Sequence, residues 1–78
     1  MPWHYIGSCP DGERFLLDGV NVWDAPWHDT RRHARIFDPL YQQPMVFGVY
    51  ELRLPARTIT FAAGEFSNCV WGFFREAL

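Results

Sequence analysis

Residues 66–78 read Phe-Ser-Asn-Cys-Val-Trp-Gly-Phe-Phe-Arg-Glu-Ala-Leu, and the period assigned to them decides between an all-β and an α+β fold. As a helix, the segment starts with Ser67 as its N-terminal cap and gathers Phe66, Val70, Phe73, Phe74 and Ala77 on one broad apolar face. As a strand, it alternates Cys69, Trp71 and Phe73 with Asn68, Val70 and Gly72. Gly72 costs a helix interior about 1 kcal/mol relative to Ala, and the β-branched and aromatic content fits a pleated surface. The closing Arg75, Glu76, Ala77 and Leu78 pull the other way. The balance favours a strand through Phe74. The expected fold is therefore mainly β: a small antiparallel barrel or rolled sheet of five to six short strands, with a C-terminal helix against the sheet (α+β) as the alternative.

The preceding residues support that reading. Residues 45–54 form the longest predicted strand, in which Val46, Tyr50, Leu52 and Leu54 share one parity while Met45, Phe47 and Val49 lead the other. Pro55 and Ala56 turn the chain into residues 57–63, where Ile59 and Phe61 alternate with Thr58 and Thr60, and the two runs read as a hairpin. Residues 32–37 also alternate, with Arg32, Ala34 and Ile36 opposite His33, Arg35 and Phe37. Polar residues on both faces predict an edge, and Asp38-Pro39 ends it. Towards the N-terminus, residues 3–8 predict a strand that turns at Asp11-Gly12 into residues 14–17. A second turn at Asp18-Gly19 leads to residues 20–23, which together gives a three-stranded meander. Residues 24–30, with Pro26 beside Trp23 and Trp27, read as a loop.

At 78 residues the chain has room for one core, so residues 1–78 are expected to form a single compact domain. Four Trp, three Tyr and seven Phe supply the bulk that so short a chain otherwise lacks. Such a number of rings is hard to bury completely, and the surplus predicts an exposed patch that meets a partner or a second copy of the chain. Seven Arg stand against nine acidic residues, for a net charge of −2. That balance argues against general nucleic-acid binding, which needs a basic surface. No apolar run is long enough for a membrane helix and no leader pattern opens the chain, so a soluble, cytoplasmic protein without membrane contact is expected. Cys9 and Cys69 lack CxxC spacing and accompanying ligands, and they read as buried free thiols rather than a zinc site or a reactive pair. The six glycines form no phosphate-binding pattern, and no cofactor is expected.

The densest polar cluster is His28, Asp29, Arg31, Arg32, His33 and Arg35, directly after Trp23 and Trp27. Arg and Trp are enriched at interfaces and engage one another through cation–π contact. Trp23, Trp27, His28, Arg31, Arg32 and Arg35 are therefore the candidate binding residues. The bland reading of the same cluster is a solvated connection in which Asp29 or Asp24 pairs with an Arg. A metal reading takes His28, Asp29 and His33, with His4 as a further ligand. An enzymatic reading makes His28 or His33 a general acid or base with Glu65 as its partner, as in a small hydrolase or nuclease. No motif fixes the geometry that such chemistry needs. The sequence thus favours a non-enzymatic module that acts through protein–protein contact or homodimerisation by an aromatic and Arg surface. The alternatives are the small hydrolase and a nucleic-acid-binding module that works through residues 31–35.

Overall fold

The computed structural model of the chain describes residues 3–38, 42–67 and 69–76. Pro39, Asn68, Ala77 and Leu78, which entered the sequence reading, lie outside the described residues. Among the described residues seven strands follow one another: β1 (Trp3–Pro10), β2 (Leu16–Leu17), β3 (Val20–Asn21), β4 (His28–Asp38), β5 (Gln43–Arg53), β6 (Thr58–Ser67) and β7 (Val70–Glu76). Five of them build one antiparallel sheet in the order β1-β7-β6-β5-β4, while β2 and β3 pair separately. The fold is all-β, and there is no helix among the described residues.

The C-terminal segment is thus a strand, and its glycine has a reason. Gly64 on β6 pairs with Gly72 on β7. A Cβ built on Gly72 would overlap the ring of Phe66, and one built on Gly64 would overlap the ring of Phe47. Aromatic rings lie over both glycines, a device that restores apolar cover where a strand gives up a side chain.

The meander predicted for the N-terminal third does not form. β1 leaves its chain neighbours and pairs with β7, from Trp3 opposite Glu76 to Pro10 opposite Val70. A turn does follow β1: Glu13 N donates to Pro10 O at 3.1 Å, with Gly12 at φ 80°. Beyond it the chain leaves the sheet instead of folding back along β1, because Asp11 N donates to Cys69 O at 2.7 Å and holds the strand to β7 to its end. The second turn forms as expected. Asp18 and Gly19 both take positive φ, 53° and 81°, which matches the twist of a two-residue hairpin between β2 and β3.

The β2–β3 hairpin and its flanks close one face of the sheet. Leu17 and Val22 pack with Cys9, Leu52, Ile59, Phe61, Ala63 and Phe73, and Phe15, Trp23 and Trp27 lean on the same cluster. Phe15 stacks on Phe73 at a centroid distance of 4.6 Å. Polar contacts pin the insertion: Arg57 Nη2 donates to Asp18 O at 2.7 Å, and Arg75 Nη1 pairs with Asp18 Oδ2 at 2.8 Å.

On the opposite face Ala34, Ile36, Phe47, Val49, Ala62 and Phe74 form a second core, joined by Trp3, Met45 and Phe66. No separate layer of described residues covers this face; the sheet curls over it. Trp3 on one edge strand joins the cluster that also holds Ala34 and Ile36 of the other, and Arg32 of β4 pairs with Glu76 of β7 at 3.6 Å. In a flat sheet those two strands lie about 14 Å apart at ordinary strand spacing. The curl stops short of a barrel, since β1 and β4 do not pair and remain as edges. Two apolar faces explain why β6 and β7 carry Phe61-Ala62-Ala63 and Phe73-Phe74, runs in which adjacent residues are all buried.

Candidate functional site

The residues singled out by the sequence part into two environments. Trp23 and Trp27 are half-buried in the aromatic cluster under the insertion. Trp27 occupies its centre: it stacks on Trp23 at 5.0 Å and meets Phe61 and Trp71 edge-on at 5.1 and 5.5 Å. Its Nε1 donates to Val22 O at 2.7 Å, which ties the ring to β3's exit. By contrast the buried Nε1 groups of Trp23 and Trp71 have no acceptor in hydrogen-bonding geometry.

His28, Arg31, Arg32, His33 and Arg35 are all exposed and belong to β4, an edge strand as the sequence predicts. Its first half is irregular for reasons that the side chains make plain. Asp29 Oδ1 accepts from Arg31 N at 2.8 Å, and Thr30 Oγ1 accepts from Arg32 N at 3.2 Å while donating to Val49 O at 2.7 Å. These local bonds compete with the ladder, a habit of Asp and Thr. Arg31 accordingly sits at φ 63°, and four steps along β4, from Asp29 to His33, match only two along β5, from Tyr50 to Gly48. Past this bulge the strand regains regular pairing, with His33, Ala34, Arg35, Ile36 and Phe37 opposite Gly48, Phe47, Val46, Met45 and Pro44.

In that regular half, Ala34 and Ile36 point into the second core. Arg35 and Phe37 point away from it, next to Val46 of β5, and Phe37 and Val46 are each 59% exposed. Tyr50, Leu52 and Leu54 share Val46's face and lie beneath the insertion, which ends before it reaches Val46. Phe37 and Val46 are the members of this surface that the sequence reading did not nominate. The available signal was the alternation of His33, Arg35 and Phe37 on one face of a predicted edge.

A shallow depression of about 260 Å³ lies nearby, lined by Pro26, Trp27, His28 and Arg53. The Arg53 guanidinium is already committed to Glu51 Oε1, 3.2 Å from both Nε and Nη2. Among the described residues no three of His, Cys, Asp and Glu gather closely enough to hold a metal ion. Glu65 sits two strands from β4 and two residues further along than the position in line with His33. At ordinary spacings that is about 12 Å, beyond the reach of a proton-transfer pair. Its Oε2 instead accepts from Cys69 N at 3.2 Å.

The two thiols differ, which the sequence reading did not anticipate. Cys9 is buried and free, whereas Cys69 is exposed at the β6–β7 turn with φ 62°. Burial pushes the Cys9 thiol above its ordinary pKa, the Trp23 indole offsets part of that rise, and Glu13 and Asp11 add to it. Cys9 pairs with Trp71, two residues out of register with Cys69, so the sheet itself keeps the sulfurs from bridging. Comparison of the chain with protein-family models, with curated proteins and with solved structures finds no match.

Proposed function

We propose that this domain is a non-catalytic module that binds another protein through the outer surface of β4. Arg31, Arg32 and Arg35 supply its charge, and Phe37 and Val46 supply its apolar contacts. The observation that carries this reading is the pairing of Arg35 with Val46 beside Phe37. Two large apolar side chains stand 59% exposed next to a guanidinium, while among the described residues Tyr5 on β1 is the one other ring more than half exposed and has no cation of its own strand beside it but His4. Exposed apolar area flanked by Arg is the composition of contact surfaces rather than of solvated faces. Trp23 and Trp27, which the sequence placed on this surface, contribute by anchoring the insertion that leaves it open.

The test compares the purified domain with Arg35→Glu/Phe37→Ser in affinity capture from the native extract. Proteins retained by the wild type at physiological salt should be lost by the variant, while far-UV spectrum and melting temperature stay the same. Equal retention by both forms would remove the β4 surface from consideration. The hydrolase and nucleic-acid readings call for separate checks: turnover sensitive to His28→Ala or His33→Ala, and affinity that falls steeply with salt.

A further inference from the structure

We infer that residues 33–37 of β4 take up an extended, acidic segment of the partner protein as a sixth strand of the main sheet. This rests on the reading of β4 as the contact surface and adds how contact is made. The sheet has two edges, and they differ in how much backbone they offer. β1 is broken by a register shift between Tyr5 and Gly7 and ends at Pro10, which has no N–H to give. The first half of β4 is closed by its own side chains, since Asp29 and Thr30 already accept from the amides of Arg31 and Arg32.

From His33 to Asp38 the pairing with β5 runs without interruption. Among the described residues no side chain bonds to the outward backbone groups of positions 33–37. This is the longest regular stretch of unpaired edge among the described residues. An incoming strand would find alternate N–H and C=O groups facing it, the geometry by which extended peptides extend a sheet.

The charge of the edge selects the occupant. β4 carries three arginines and two histidines against Asp29 and Asp38, and the Asp29 carboxylate is turned back onto Arg31 N. A second copy of residues 33–37 laid antiparallel over its whole length on the first would set Arg35 directly against Arg35, which is unfavourable. Arg35 and Phe37 project from the same face two positions apart, so the matching segment sets a carboxylate opposite Arg35 and, two positions along on that same face, an apolar side chain against Phe37 and Val46.

The probe is the blocked heptapeptide Thr-Val-Thr-Glu-Thr-Val-Thr, which carries Val, Glu and Val on one face, with a fully N-methylated counterpart of the same charge that cannot donate from its backbone. Binding is read by titration calorimetry and by backbone amide shifts of the folded domain. The plain peptide should bind in the millimolar range or tighter, with shift changes concentrated at residues 33–37. N-methylation and Arg35→Glu should each weaken it at least about tenfold. Equal binding of the N-methylated peptide, with the Arg35 effect retained, would overturn strand addition and leave the surface reading intact. Binding indifferent to Arg35→Glu, with shifts on β1 or the insertion, would sink both. No binding at millimolar peptide also overturns strand addition. So does a concentration-dependent shift of residues 33–37 without peptide, which would make the occupant a second copy of the chain.

Discussion

Trp27→Phe and Trp71→Phe remove the same atoms from neighbouring rings, 5.5 Å apart in one cluster, yet the structure assigns them different costs. Both lose similar ring area. Trp27 also loses its bond to Val22 O, leaving a part-buried carbonyl unpaired, whereas Trp71→Phe deletes an indole N–H that has no acceptor. Stranding a buried polar group costs about 1 to 3 kcal/mol, and removing an unsatisfied one costs nothing or recovers some stability. Trp27→Phe should therefore be less stable than Trp71→Phe by about 2 kcal/mol. A chain of this length has a total stability of about 4 to 12 kcal/mol. With a urea slope of about 1 to 2 kcal/mol/M for a domain this small, the two midpoints should differ by about 1 to 2 M. The assay is urea unfolding followed by far-UV circular dichroism, so that the loss of a Trp does not disturb the signal. Coincident midpoints, or Trp71→Phe as the weaker variant, would refute the hydrogen-bond assignment.

Other substitutions probe separate parts of the structure. Gly64→Ala drives a methyl into the Phe47 ring and should cost at least about 1 to 3 kcal/mol, while Gly19→Ala meets no neighbour and costs about 1 kcal/mol for its positive φ; thermal melts rank the two. Thr30→Val removes the bond to Val49 O and the acceptor for Arg32 N, and should lower stability by about 1 to 2 kcal/mol in urea. Of the two thiols, exposed Cys69 should react fully with a disulfide reagent under native conditions while Cys9 reacts only on unfolding; two equally fast thiols would contradict the burial of Cys9. Because the folded Cys9 pKa is raised above its unfolded value, its neutral form contributes stability at and below neutral pH. That contribution falls as pH rises above the ordinary thiol pKa and through the raised one. Alkaline unfolding of Cys9→Ala should then depend less on pH than that of the wild type.

Local alternation made most of the strands legible. β5 and β6 were readable because Leu52, Ile59 and Phe61 alternate with polar neighbours, and β7 because Gly72 suits a strand better than a helix. Pairing of β1 with β7 was not readable. It joins residues far apart in the chain, from Trp3 with Glu76 to Pro10 with Val70, and the adjacent Asp11-Gly12 turn advertised a nearer partner. Asp11's bond to Cys69 O decides the matter, and nothing in the local sequence encodes it. The site was half legible for a similar reason. Trp serves cores and contact surfaces equally well, so Trp27 beside a run of Arg pointed to the surface until packing placed it against Phe61 and Trp71. The exposure of Phe37 and Val46 depends on where the insertion stops, which no period in β4 or β5 reveals.

Site-resolved amide hydrogen exchange on the free domain tests the central claim, an open and regular β4 edge, most directly. Every second amide across residues 33–37 should exchange at close to the unprotected rate, while the amides of β6, central in the sheet, exchange slowest of all. Uniform protection across residues 33–37, comparable to that of β6, would mean that this edge is already covered and would contradict the account.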